Sequence, residues 1–160
     1  MRKLRLYLDT SVINFLFADD APDLKKATQV FFAEIEHYDV YISDVVVREI
    51  MNTKSEQKQK KLTGVIKQYK LKLLEIDDIE EVARLAQCYL DQGAIPIGKR
   101  EDAQHVAYAV IAEMDFLVSW NYKHLANANK EFKIVLVNQR EGYFYPFRLT
   151  TPMGVKQDES

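Results

Sequence analysis

Lys99-Arg100-Glu101-Asp102-Ala103-Gln104-His105-Val106-Ala107-Tyr108-Ala109-Val110-Ile111-Ala112-Glu113-Met114 runs directly into Asp115-Phe116-Leu117-Val118-Ser119-Trp120-Asn121. In the first part Ala103, Val106, Ala107, Val110, Ile111 and Met114 recur at i, i+3, i+4, i+7 spacing, uninterrupted by Gly or Pro, which predicts an amphipathic helix. The second part predicts a short buried strand, Phe116 to Ser119, that ends on polar residues. At about 100° per residue, Asp102 falls in the first helical turn, at the border of the apolar stripe beside Val106. A carboxylate placed there points neither fully to solvent nor fully to the core. It can simply complement the helix N-terminal dipole, or it can belong to a site; the rest of the chain bears on the choice.

Upstream, Ala94 to Gly98, with Pro96, reads as a loop, and Gly93 ends a helix as a C-terminal glycine does. That helix begins at Asp77-Asp78 and carries Ile79, Val82, Ala83, Ala86 and Leu90 on one side, with Cys88 a bystander. Leu71 to Ile76 is a strand candidate. Asn52 to Lys70 is lysine-rich, and Leu62, Val65, Ile66 and Tyr69 give its second half a helical period; its lysines form either a solvated face or an RNA-tracking patch. Val40-Tyr41-Ile42 is another strand, after which Ser43 caps a helix with Val45, Val46, Glu49 and Ile50. On a helical wheel Glu49 lies between Val45 and Val46, near the middle of the apolar side. An ionised carboxylate is costly there unless a cation or donors meet it; the alternative is a side chain that bends out to solvent or pairs with Arg48 or a lysine.

At the start of the chain, Leu4, Leu6 and Leu8 share one face of a predicted strand and Tyr7 takes the other. Asp9-Thr10-Ser11 has helix-capping chemistry for the run Val12 to Phe17. Asp19 to Asp23 is a turn before a longer helix whose buried side is marked by Leu24, Ala27, Phe31, Ile35 and Tyr38. Downstream of Asn121, a short helix is expected around Leu125, and Phe132 to Val137 reads as a fifth strand. Tyr143, Phe144, Tyr145 and Phe147 are too many aromatics to leave in water, so they pack on the domain or on a partner. Residues 1–148 are thus expected as a single domain, with 149–160 a loosely ordered tail.

The 160 residues are enough for one domain with a substantial core, and the apolar content of 48% suits a globular protein. A net charge of −2 provides no global basic field, which argues against a sequence-specific DNA-binding domain. It leaves room for an enzyme that meets nucleic acid through a local patch and bound cations. The lone Cys88 permits no intrachain disulfide, as in a reducing cytoplasm. The apolar start, Leu4 to Leu8, is too short for a signal peptide or membrane span, so a cytoplasmic protein without a membrane partner is expected.

Strands and helices alternate throughout, which predicts an α/β domain with a mostly parallel five-stranded sheet between two helical layers. Sites in such folds form beyond the carboxyl ends of the strands. Asp9 follows the first strand and Asn121 the fourth, Asp102 opens the helix that returns toward that edge, and Glu49 sits on the helix after the second strand. These four side chains can meet; Asp115 precedes its strand and belongs to the opposite edge. Clustered carboxylates without Cys or paired His suit a hard cation, Mg²⁺ or Mn²⁺. No Gly-rich phosphate loop follows the first strand, no Ser nucleophile elbow or HExxH pair is present, and Ser11 stands where an aspartyl-phosphate phosphatase would carry its second Asp. His105 and His124 read as surface or packing residues.

Four segments, Leu8-Asp9-Thr10-Ser11-Val12, Val46-Val47-Arg48-Glu49-Ile50, Glu101-Asp102-Ala103-Gln104-His105-Val106-Ala107 and Leu117-Val118-Ser119-Trp120-Asn121, occur in an order that resembles the PIN-domain endoribonucleases, including the VapC-type toxins of toxin–antitoxin pairs. The resemblance extends from residue 4 to about 137. It implies a PIN-like fold and a metal-dependent ribonuclease, with Asp9, Glu49 and Asp102 as acidic metal-binding positions. Asn121 stands where many such proteins carry a fourth acid, and an amide adds no negative charge to a second metal site. Thr10 and Ser119 would orient ligands or water behind the acids, while Lys99 and Arg100 would meet RNA phosphates. RNA is the implied substrate, and an antitoxin protein and a second copy of the chain are the partners it raises. The competing expectation is a catalytically silent binding or scaffold module built on the same fold.

Overall fold

Alternation along the first strand divides the core in two. In the computed structural model, which describes residues 2–155, β1 (Arg5–Leu8) sends Leu6 and Leu8 into one apolar cluster and Tyr7 into the other, as the period of two requires. On the Leu6 side lie α1 (Thr10–Asn14), α2 (Pro22–Ala33) and α4 (Glu56–Gln68), supplying Val12, Ile13, Phe31, Phe32, Leu62 and Val65. On the Tyr7 side lie α5 (Ile79–Asp91), α6 (Arg100–Ile111) and α7 (Ala128–Arg140), with Leu85, Tyr89, Val106, Val110, Ile134 and Val137 buried. Between them, α3 (Asp44–Met51) gives Val45 to one cluster and Val46 and Ile50 to the other. The result is the expected three-layer α/β/α arrangement.

The five strands are all parallel, in the order β3-β2-β1-β4-β5, where β2 is Asp39–Ile42, β3 Lys72–Leu73, β4 Phe116–Val118 and β5 Arg148–Thr150. From β1 the chain steps outward to β2 and β3, then returns to lay β4 on the other flank of β1. That reversal makes the crevice between the carboxyl ends of β1 and β4 the topological switch point of the sheet, the usual place for a ligand in an open parallel sheet. In-register pairing of Leu8 with Val118 brings the residues after each strand, Asp9 and Ser119, to that crevice together. The pairing continues past the strand ends, since Asp9 N–H donates to Val118 O at 3.2 Å and Ser119 N–H to Thr150 O at 2.9 Å.

Three expectations are corrected. Phe132 to Val137 is not a strand but the middle of α7. Its β-branched composition suggested a strand, yet the buried residues Ile134, Val137 and Asn138 follow a spacing of three and four, and Asn127 caps the helix by accepting from Lys130 N–H at 2.9 Å. The fifth strand is Arg148–Thr150, three residues whose pairing with β4 was not visible from composition. The loosely ordered tail therefore does not begin at 149: Leu149, Pro152 and Val155 are buried, and only residues 156–160 of that segment lie outside the described chain. No helix forms around Leu125, which is buried within a series of turns between Asn121 and the cap of α7. Of the four tail aromatics, Phe147 is buried and Tyr143 and Tyr145 are half-buried, while Phe144 remains 74% exposed. Among the described residues no helix is long and apolar enough to cross a membrane.

Candidate active site

Asp9 is 3% exposed and is gripped by two serines. Ser11 Oγ accepts Trp120 N–H at 3.0 Å and Ser119 Oγ accepts Asn121 N–H at 2.9 Å. Each hydroxyl thereby turns its own hydrogen toward Asp9, Ser11 to Oδ1 and Ser119 to Oδ2, both at 2.5 Å. Asp9 also caps α1, accepting Ser11 N–H at 3.1 Å. The loop after β4 is thus tied to the end of β1 through one carboxylate. Burial pushes the Asp9 carboxyl above the usual range, against His105 and the two serine donors.

Glu49 does not bend away into solvent. Its Oε1 accepts Thr10 Oγ1 at 2.8 Å and meets His105 Nε2 at 2.7 Å. Burial works to raise its pKa, but hydrogen bonding to His105, the influence of the same ring and the Thr10 hydroxyl together hold it below the usual value. Asp102 lies in the first turn of α6, where Asn121 Nδ2 donates to its Oδ2 at 3.2 Å. Its pKa is pushed up to about 6, by burial first and then by the negative charges of Asp9 and Glu49, with His105 and Lys99 acting the other way. Asp9, Glu49 and Asp102 therefore share one electrostatic neighbourhood at the switch point, with Thr10, Ser119 and Asn121 bonded to them. None of the three acids is ion-paired with a lysine or arginine among the described residues. Nor do any three His, Cys, Asp or Glu side chains there already form a metal-ready group. These oxygen-rich acids, free of lysine or arginine ion pairs among the described residues, nevertheless fit a hard cation by their chemistry.

His105, expected at the surface or in packing, is 2% exposed and is bonded to Glu49. Its other nitrogen, Nδ1, meets Tyr7 Oη at 2.6 Å, and Tyr7 Oη meets Ser43 Oγ at 2.6 Å. Two sequence signals pointed here. His105 stands three residues after Asp102, on the same helical face, and a Tyr between two core leucines of a strand needs a polar partner. Ser11 was read only as capping chemistry; that it also orients Asp9 depends on a contact with the distant Trp120 amide. His124 is partly buried, and its Nδ1 is buried without a hydrogen-bond partner. Burial, then the charges of Lys99, Lys123 and Lys130, lower its pKa. Lys99 and Arg100 are exposed at the start of α6. Asp115, at the opposite sheet edge, takes Arg2, Arg5 N–H and Tyr145 Oη and is a structural clamp.

No protein-family profile matches the sequence, and no curated protein matches it either. Six chains of solved structures match the fold. One is the crystal structure of VapBC2 from Rickettsia felis bound to a DNA fragment from their promoter, with a TM-score of 0.57 and 16% identity over 92% of this chain and 98% of that one. At that identity the likeness is one of fold, and the fold is the PIN-like α/β architecture that the sequence resemblance implies.

Proposed function

We propose that this chain is a metal-dependent endoribonuclease that hydrolyses RNA phosphodiester bonds, the toxin member of a toxin–antitoxin pair. The observation that carries the reading is a buried or half-buried trio of acids at the switch point with no lysine or arginine ion pair among the described residues. Such an excess of negative charge is stabilised by a divalent cation. Asp9, Glu49 and Asp102 would hold one or two Mg²⁺ or Mn²⁺ ions. When bound, such ions supply Lewis acidity toward phosphate oxygens and water. Ser11 and Ser119 fix the Asp9 carboxylate, Thr10 fixes Glu49, and Asn121 fixes Asp102. Lys99 and Arg100, at the rim, would receive the RNA backbone by charge, giving an affinity that falls with salt. The presence of a VapBC2 complex among the fold neighbours supports an antitoxin as protein partner.

The test is turnover of mixed RNA by the purified chain with Mg²⁺ or Mn²⁺, with EDTA, and after Asp9→Asn. Cleavage that needs metal and is lost in the variant is expected. Metal-independent cleavage, or equal cleavage by the variant, would refute the assignment. RNA or protein binding without any turnover would favour the silent binding module.

A further inference from the structure

The hydrogen bonds behind Glu49 have one direction that leaves no buried hydrogen without an acceptor. Val45 N–H donates to Ser43 Oγ at 3.2 Å, the capping bond of α3. Ser43 is fully buried, and among the described residues its oxygen has one further partner, Tyr7 Oη. The Ser43 hydrogen therefore goes to Tyr7, because any other direction leaves a buried donor unpaired. Tyr7, itself fully buried, passes its own hydrogen to His105 Nδ1. A Nδ1 that accepts leaves the ring hydrogen on Nε2, and that hydrogen points at Glu49 Oε1. Thr10 Oγ1 donates to the same oxygen. Oε1 is then filled by two donors, while Oε2 accepts none among the described residues.

We propose that His105 is a positioning residue, locked in its Nε2–H tautomer by Ser43 and Tyr7, that holds Glu49 so that Oε2 alone is offered to a cation. This rests on the reading of Glu49 as a cation ligand. The chain starts at the cap of α3 and ends on Glu49 in the same helix, so the helix aims its own acid through two residues of other elements, Tyr7 and His105. A ligand carboxylate with one oxygen already committed binds through the other and does not lose rotamer freedom when the cation arrives. Partners of this kind typically change metal affinity by about 10- to 100-fold when removed.

The test uses the full chain. Long-range ¹H–¹⁵N spectra of the metal-free protein, with His105 identified through His105→Gln, are expected to show hydrogen on Nε2 only. Tyr7→Phe is expected to release that preference and to lower Mn²⁺ affinity, measured by calorimetry without RNA, by about 10-fold. His105→Ala should lose at least as much. His105→Gln, whose amide nitrogen can occupy the Nε2 place, should recover most of it. In RNA cleavage the losses should fall on kcat with KM unchanged, since no RNA contact is removed. A wild-type His105 with hydrogen on Nδ1 overturns the proposal. So does Mn²⁺ affinity that is equal in wild type, Tyr7→Phe and His105→Ala, and this outcome leaves the nuclease reading standing. A wild type that binds no Mn²⁺ removes Glu49 as a ligand, and the proposed function falls with the positioning role. The spectra and Tyr7→Phe keep the question open to refutation if His105→Ala does not fold.

Discussion

At Asp102 the fold opposes ionisation. The unfolded chain releases this proton near 3.8, whereas the metal-free folded protein holds it to about 6. The folded state binds more protons between these values, so stability falls as pH rises from about 4 to about 6 and stays lower above that window. For a part-buried group, after allowance for solvent screening, the loss is on the order of 1–2 kcal/mol. Asp102→Asn should remove this slope and leave the metal-free protein about 1 kcal/mol more stable at neutral pH, as read by urea unfolding in EDTA between pH 4 and 7. Excess Mn²⁺ should raise the wild-type Tm by mass action and the variant's much less. An unchanged slope in the variant would place the perturbed carboxyl elsewhere. Asp9→Asn is a poorer probe of stability, because an amide cannot accept both the Ser11 and Ser119 hydroxyls.

Among the elements, α7 shows how a cap and a burial spacing outweigh strand-like composition. Asn127 accepts Lys130 N–H and also donates from Nδ2 to Tyr122 O, tying the helix to the loop that follows the site. Asn127→Ala should cost about 1 kcal/mol, visible as a lower midpoint in chemical unfolding. The segment after α7 sorts its aromatics by what each meets. Phe147 is buried beside Leu149, so Phe147→Ala should cost about 3–5 kcal/mol through lost burial and the cavity left behind. Phe144 is exposed, and Phe144→Ser should stay within about 0.5 kcal/mol of wild type. Similar losses for both would mean that Phe144 is covered in solution, as by a second copy or another partner.

In the whole molecule the start of the described chain meets the segment that follows α7. β5 closes one flank of the sheet, and Arg2 and Tyr145 both bind Asp115 at the edge opposite the acids. Truncation after Asn138 would strip β4 of its outer partner strand, remove Val155 from the apolar cluster that holds Phe31 and Tyr38, and open the amino-terminal clamp. The truncated chain should aggregate, or lose its cooperative melt in circular dichroism. A soluble, cooperatively folding fragment would show that the sheet closes without β5.

Much of this was legible from the chain alone. Periodicity is local: the stripe from Ala103 to Met114, the alternation of Leu6, Tyr7 and Leu8, and the caps Asp9, Ser43 and Asp78 determine their elements within a few residues. The alternation of those elements determined a parallel sheet, and its carboxyl edge named Asp9, Glu49, Asp102 and Asn121 as neighbours. Tertiary structure decided whatever needed a distant partner. Arg148–Thr150 is a strand because β4 has a free flank, not because three residues prefer extension. His105 is held beside the acids because Glu49, 56 positions away, and Tyr7, 98 away, supply what each of its nitrogens needs. A side chain's type and spacing are written in the sequence, but the acceptor that fixes its hydrogen exists only once the sheet has closed.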